Sequence, residues 1–329
     1  MTNEFPHPNE AEEGCVERAD DRRDFLRKAA ALSVGAVALA GAAQKRGKSI
    51  PDGPKVDAGE IPMIRLGDTS VSRLILGANP MWGYSHRGKL LSRLMTDWYS
   101  GDRVVEVLHH AEARGINTWQ SSVSGRLVDD WMRYRNEGGR MNLIILSAPG
   151  NNRPGDDLST MKKLGALAVV HHGQWTDRYW RENRVDEVKV YLQRIREGGF
   201  LVGCSTHNPE TLKYMEDHHW DLDFYMTSFY RVSKRRHQWK EELGWEPQHE
   251  LYPQGMPDEM TAMIRQIPKP CLSYKVLAAG RLCDRQEQVE AAFKYAFNNI
   301  KPTDGIIIGM FPKFEDQVAI NANHTIKYG

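Results

Sequence analysis

Cysteine is scarce in this chain: four in 329 residues, with no two of them forming a CxxC pair. That density argues against a disulfide framework. Cys15 lies in the leader, Cys204 and Cys271 sit inside apolar runs as expected core residues, and Cys283 falls in a polar loop. Excess charge is lacking too. Lys+Arg 44 against Asp+Glu 43 leaves a net charge of +1, which gives no basic surface for nucleic acid and no acidic tail. No stretch of about 20 apolar residues lies outside the leader, so no ordinary membrane span is visible. A glycine-rich fingerprint after the first strand is also missing, which argues against a doubly wound dinucleotide fold.

What is present begins with an N-terminal address. Residues 1–20 are acidic and bear Pro and Asn, a composition that predicts disorder. Asp21-Arg22-Arg23-Asp24-Phe25-Leu26-Arg27-Lys28 follows, then a mild apolar run from 29 to 43 that ends in small residues. Paired arginines, Phe-Leu, a basic residue and a weak apolar stretch, in that order, predict a twin-arginine signal over residues 1–43. The twin-arginine export machinery is then a partner, the mature protein is periplasmic or otherwise exported, and no stable span remains after cleavage. Residues 44–61, rich in Lys, Gly, Pro and Asp, read as a linker.

From residue 62 to 329 short apolar runs alternate with stretches of helical spacing. Strands are expected at 72–79, 116–120, 142–147, 167–172, 200–205, 223–230, 271–277 and 305–310. Helices are expected at 102–114, 127–134, 158–164, 185–197, after Asn208-Pro209, after Pro257, at 285–298 and at 314–324. Eight such pairs predict an α/β fold, a (β/α)8 TIM barrel. Residues 231–256, with Lys234-Arg235-Arg236, read as a long insertion, a solvated loop or a lid.

The run Leu167-Ala168-Val169-Val170-His171-His172-Gly173 shows where chemistry is to be sought. An unalternated apolar run suits a strand buried on both faces, and the polar residues arrive where it stops. In a barrel that end is the mouth where active sites sit. His171 and His172 are neighbours on a strand, so they point to opposite sides. His207 after the next strand and His86 in the first loop are further imidazoles at the same end. Two or three of them hydrogen-bond a substrate, or hold a divalent metal. Lys275 lies within an otherwise apolar strand and becomes a nucleophile if it faces the cavity. Tyr84 and Tyr99, in or near the first loop, are candidate proton donors. Trp82, Trp119, Trp175 and Tyr230 near strand ends suit either sugar stacking or packing.

Several motifs together resemble the aldo/keto reductases. They are Val71-Ser72-Arg73-Leu74-Ile75-Leu76-Gly77, Gly115-Ile116-Asn117, Gly199-Phe200-Leu201-Val202-Gly203-Cys204-Ser205, and the stretch from Ser273 to Leu282. The last is Ile308-Gly309 with Glu315, Gln317 and Asn321. The likeness spans about residues 62 to 327. It implies a barrel that passes hydride from NADP(H) to a carbonyl. By the resemblance His171 matches the substrate-orienting histidine and Tyr230 the tyrosine that stacks on nicotinamide. Lys275, Gly309, Lys313, Gln317 and Asn321 match cofactor-binding positions. The family's aspartate falls on Gln120, its tyrosine on Gly125 and its lysine on Ala148, so three of four catalytic groups are absent. Donation from a phenol of pKa about 10 needs a nearby cation to be quick at neutral pH. Neither Gly125 nor Ala148 supplies one of these parts.

Three readings follow. One is an exported NADP(H)-dependent oxidoreductase of a small carbonyl or sugar-derived substrate, with His171 or Tyr84 as the altered donor. Another is a lyase or isomerase using His171, His172 and His207 with a metal, or Lys275 as a Schiff base. The third is a carbohydrate-binding barrel without catalysis.

Overall fold

A computed structural model describes residues 50–55, 59–123, 126–147, 149, 156–234 and 236–329. The segment expected to be a twin-arginine signal, with Cys15, and Gly125 and Ala148 lie outside the described residues. Eight parallel strands close on themselves: β3 (Leu74–Gly77), β4 (Thr118–Ser122), β5 (Asn142–Ser147), β6 (Ala168–His171), β7 (Leu201–Thr206), β8 (Phe224–Ser228), β9 (Cys271–Tyr274) and β10 (Gly305–Gly309), with β10 pairing back onto β3. The (β/α)8 barrel is the fold that the alternation of apolar runs implies.

The inside of the barrel is a separate apolar core. Ile75, Ile144, Ala168, Val170, Phe224, Met226, Leu272 and Ile307 pack together there, each at most 5% exposed. Successive strand residues face opposite sides, so Leu74, Leu76, Trp119, Val169 and Val202 turn outward into the layer beneath the helices. Gly203 takes an inward position because a Cβ there would meet the Phe224 ring at 2.7 Å and Val170 at 2.8 Å.

A hairpin absent from the sequence reading precedes the barrel. β1 (Met63–Leu66) and β2 (Thr69–Ser72) pair antiparallel around Gly67, whose φ of 55° is the left-handed turn conformation. Ile64, Leu66 and Val71 join the inner core, and Gly67 lies over Leu201 at the start of β7. The hairpin therefore stoppers the N-terminal end. Asn117 clamps it, accepting from Ser72 N at 2.8 Å and donating to the Ser70 carbonyl at 2.9 Å.

Outside the barrel run α1 (Lys89–Trp98), α2 (Arg103–Ala113), α3 (Leu127–Asn136), α4 (Leu158–Lys163), α5 (Gly173–Arg181), α6 (Val188–Glu197), α7 (Pro209–Asp217), α8 (Arg236–Leu243), α9 (Met256–Ile264), α10 (Gln286–Asn299) and α11 (Gln317–Tyr328). Three of these were not foreseen: α1 in the first loop, α5 directly after β6, and α8 inside the insertion. Asn208 caps α7 as expected, accepting from Glu210 N, with Pro209 at the first helical position. No helix among the described residues is long and apolar enough to cross a membrane.

Candidate active site

The C-terminal ends of β6, β7 and β9 bring together a chain of hydrogen-bonded side chains. It starts at Asp177, on the first turns of α5 and 1% exposed. Helix α5 starts where the His172 Nδ1 accepts from Gln174 N at 3.2 Å. That start places Asp177 beside the end of β7. There its Oδ1 accepts from Thr206 Oγ1 at 2.6 Å, and its Oδ2 pairs with His207 Nδ1 at 2.7 Å. The backbone N–H of His207 also faces both carboxylate oxygens, at 3.3 and 3.2 Å. A carboxylate with this set of donors is fixed in place.

The pairing settles the tautomer. With the Nδ1 proton directed to Asp177, the Nε2 lone pair of His207 faces the Tyr274 hydroxyl at 3.1 Å. Tyr274 ends β9 with the inward orientation of its strand, and its hydroxyl also lies 3.1 Å from Ser205 Oγ. Burial pushes the Tyr274 phenol well above the ordinary tyrosine range, so it is protonated at neutral pH. Gly173 completes the wall. A Cβ on it would lie 2.8 Å from Ser205 Oγ, 3.2 Å from Tyr274 Oη and 3.3 Å from His207 Cε1. Asp177 also lines a cleft of about 890 Å³ with Trp180, Arg181, Asn208, Glu210 and Arg231 among its walls.

A second polar group stands at the same end of the barrel. Lys275 Nζ lies 3.2 Å from His86 Nε2, and His86 Nδ1 lies 3.2 Å from Glu250 Oε2. Lys275 is not inside its strand, as the sequence suggested. Strand β9 stops at Tyr274, and Lys275 is the next residue, with a left-handed φ of 60°. Burial lowers its amine to about 8, with Glu250 pulling upward and Arg281 pushing down.

The other expected site residues fall elsewhere. His171 is 1% exposed and turned outward, with Nδ1 2.8 Å from Thr176 Oγ1 and its ring among Tyr179 and Tyr191. Burial, with His172 beside it, lowers its pKa to about 3, so it is a neutral packing histidine rather than the one that meets substrate. Tyr84 is 38% exposed on the first loop and enters neither polar group; Tyr99 is buried and donates to the Met310 carbonyl at 2.6 Å. The imidazoles diverge. Among the described residues, no three His, Cys, Asp or Glu are gathered as a metal ion needs. Trp119 is fully buried, Trp82 donates to Ser121 Oγ beside it, and Arg178 covers Trp175 at 5.1 Å, so these rings serve packing.

The positions matched to an NADP(H) site are engaged within the fold. Gln317 Oε1 accepts from Phe311 N at 2.7 Å, and Asn321 is 4% exposed. Tyr230 is 4% exposed and packs on Tyr252 of the insertion, ring centroids 5.0 Å apart. Gly309 leaves room for Pro80, whose Cδ a Cβ would meet at 2.7 Å, and Lys313 lies over Phe314 at 5.2 Å. The aspartate position of the resemblance, Gln120, is 8% exposed on β4.

Sequence reasoning singled out His207, Lys275 and His86 but missed Asp177, Tyr274, Ser205 and Glu250. The nearest sequence signal for Asp177 is its place four residues beyond Gly173, one helical turn past the strand end.

No family model matches the chain, and no curated protein matches it. Several solved structures are similar. A glycerol dehydrogenase from Gluconobacter oxydans is 13% identical, with 81% of this chain and 90% of that chain covered and a TM-score of 0.47. An aldo/keto reductase from Brucella melitensis is 12% identical over 82% and 98% of the two chains, TM-score 0.48. A GH113 β-1,4-mannanase is 14% identical over 70% and 88%, TM-score 0.38. The barrel itself stands on the closed order of its strands.

Proposed function

We propose that this protein is an exported barrel enzyme that moves a proton at the oxygen of a small carbonyl or sugar-derived substrate. The reaction class is enolising isomerisation or lyase chemistry. The observation that supports this reading is the unbroken Asp177–His207–Tyr274 hydrogen-bond chain, ending on a half-buried phenol at the barrel mouth.

The relay works in both directions. A substrate hydroxyl gives its proton to Tyr274 Oη as Tyr274 gives its own to His207 Nε2, and the imidazolium that forms is stabilised by the Asp177 carboxylate. Run backward, the same transfer protonates an oxygen that has developed negative charge. Ser205 holds the phenol from its other side.

The test is incubation with a panel of small aldoses and ketoses in D2O, reading deuterium at the carbon next to the carbonyl by NMR. Wash-in without nucleotide, lost in Tyr274→Phe, is the expected result. Turnover only with added NADPH, with no wash-in, replaces this reading by the reductase reading. Saturable sugar binding with neither result replaces it by the binding-only barrel.

A further inference from the structure

Three segments far apart in the chain meet around Lys275. His86 comes from the loop after β3, with a left-handed φ of 53°, and Glu250 and Tyr252 come from the insertion between β8 and α9. Arg281 comes from the turn after β9, with its guanidinium 3.9 Å over the Tyr252 ring, and it donates to the His86 carbonyl at 3.1 Å. Tyr252 donates to Glu250 Oε2 at 2.7 Å, beside the His86 contact on the same oxygen.

The order of partners is informative. A lysine kept for an ion pair sets its ammonium directly on a carboxylate. Here the nearest partner of Nζ is the imidazole, and the carboxylate stands behind that imidazole. Glu250 takes the Nδ1 side of His86, so Nε2 is left as an acceptor aimed at the amine. Burial opposes ionisation of Glu250, but the hydrogen bond from His86 and the charge of Lys275 outweigh it and bring the carboxyl to about 2. An amine with a base to remove its proton, and an ion to stabilise that base once protonated, is set up to be a nucleophile.

We propose that Lys275 condenses with a small aldehyde or ketone to form an imine, with His86 carrying the protons and Glu250 holding His86. The Nζ ammonium passes a proton to His86 Nε2, and the free amine attacks the carbonyl carbon. The C–N bond forms, the carbonyl π pair moves to oxygen, and that oxygen takes the proton from the imidazolium. The carbinolamine nitrogen, which then holds two protons, gives one of them to His86. The hydroxyl leaves as water with that proton as the C=N bond forms, and the last proton stays on nitrogen. One ammonium and one carbonyl become one protonated imine and one water, and nothing is oxidised. The inference rests on the reading of the site as one for carbonyl compounds, but its test needs no turnover.

The experiment treats the intact protein with glyceraldehyde and sodium cyanoborohydride from pH 6 to pH 10, and locates the reduced adducts by peptide mass mapping. Burial brings the Lys275 amine down to about 8, well below the ordinary lysine value of about 10.4. At pH 7 labelling of Lys275 is therefore expected to exceed that of a lysine with the ordinary value on the order of 10²-fold, with half of the maximum reached near pH 8. Labelling of Lys275 no faster than that of an exposed lysine such as Lys89 overturns the proposal. His86→Asn is expected to slow labelling about a hundredfold, at the low end of what a positioned base contributes. An unchanged rate removes His86 from the step. Deuterium wash-in without a Lys275 adduct sinks this inference alone. An adduct without wash-in sinks the proposed function alone.

Discussion

The carboxylate of Asp177 and the imidazole of His207 are joined by a 2.7 Å hydrogen bond that ties the helix after β6 to the end of β7. The same carboxylate accepts from Thr206 Oγ1 and faces the His207 backbone N–H, so one side chain fixes both the position and the tautomer of the histidine. Asp177→Asn turns an NH2 toward at least one of these donors. Leaving a buried donor unmatched costs about 1–3 kcal/mol. We expect a lower urea midpoint, and a pH–rate profile shifted as well as lowered. A lowered rate with an unshifted profile assigns Asp177 to packing only.

Gly173→Ala tests how closely the mouth is fitted. The added methyl would press on Ser205 Oγ, Tyr274 Oη and His207 Cε1, all members of the relay. Overpacking of this kind costs about 1–3 kcal/mol. We expect the loss of deuterium exchange to exceed what this change in stability explains at temperatures where the variant is fully folded. Full activity in a folded variant places the reacting oxygen away from Tyr274.

The outward histidine has a consequence for acid stability. His171 has a folded value of about 3 against an ordinary 6.5, so between these limits the unfolded chain binds the extra proton. Its contribution is complete above pH 6.5 and is lost as the pH falls toward 3, by at most about 1.4 kcal/mol per pH unit. His171→Gln should flatten the acid limb of urea stability measured from pH 6.5 to 4, without changing wash-in at neutral pH. Equal slopes in the two proteins assign the acid limb to other groups.

Export is tested at the leader. Arg22→Lys with Arg23→Lys is expected to keep the protein in the cytoplasmic fraction with its leader uncut, read by cell fractionation and intact mass. Periplasmic recovery at the parent level sinks the twin-arginine reading.

The barrel was legible because a strand buried on both faces has little choice of residue. Leu143, Ile144 and Ile145, or Ile306, Ile307 and Ile308, can be read in no other way once helices lie between them. Helix α5 was not, because its buried stripe is Gly173, Thr176 and Asp177: the spacing is helical but the residues are polar, so hydrophobic periodicity passes over it. The same polarity is what makes the site. His171 and His172 show the other limit. Their opposite orientations follow from adjacency, but which one faces inward depends on register, and a shift of one residue exchanges them. Lys275 looked like a strand residue because Val276 and Leu277 prolong the apolar run past the point where the backbone turns left-handed. Glu250 lies in an insertion whose sequence has no period to place it.

The hairpin that stoppers the N-terminal end adds its own side chains to the packed interior, so the barrel is plugged from below rather than hollow. The polar groups gather instead at the opposite rim, where Tyr252 and Glu250 of the insertion lie against Tyr230 and His86.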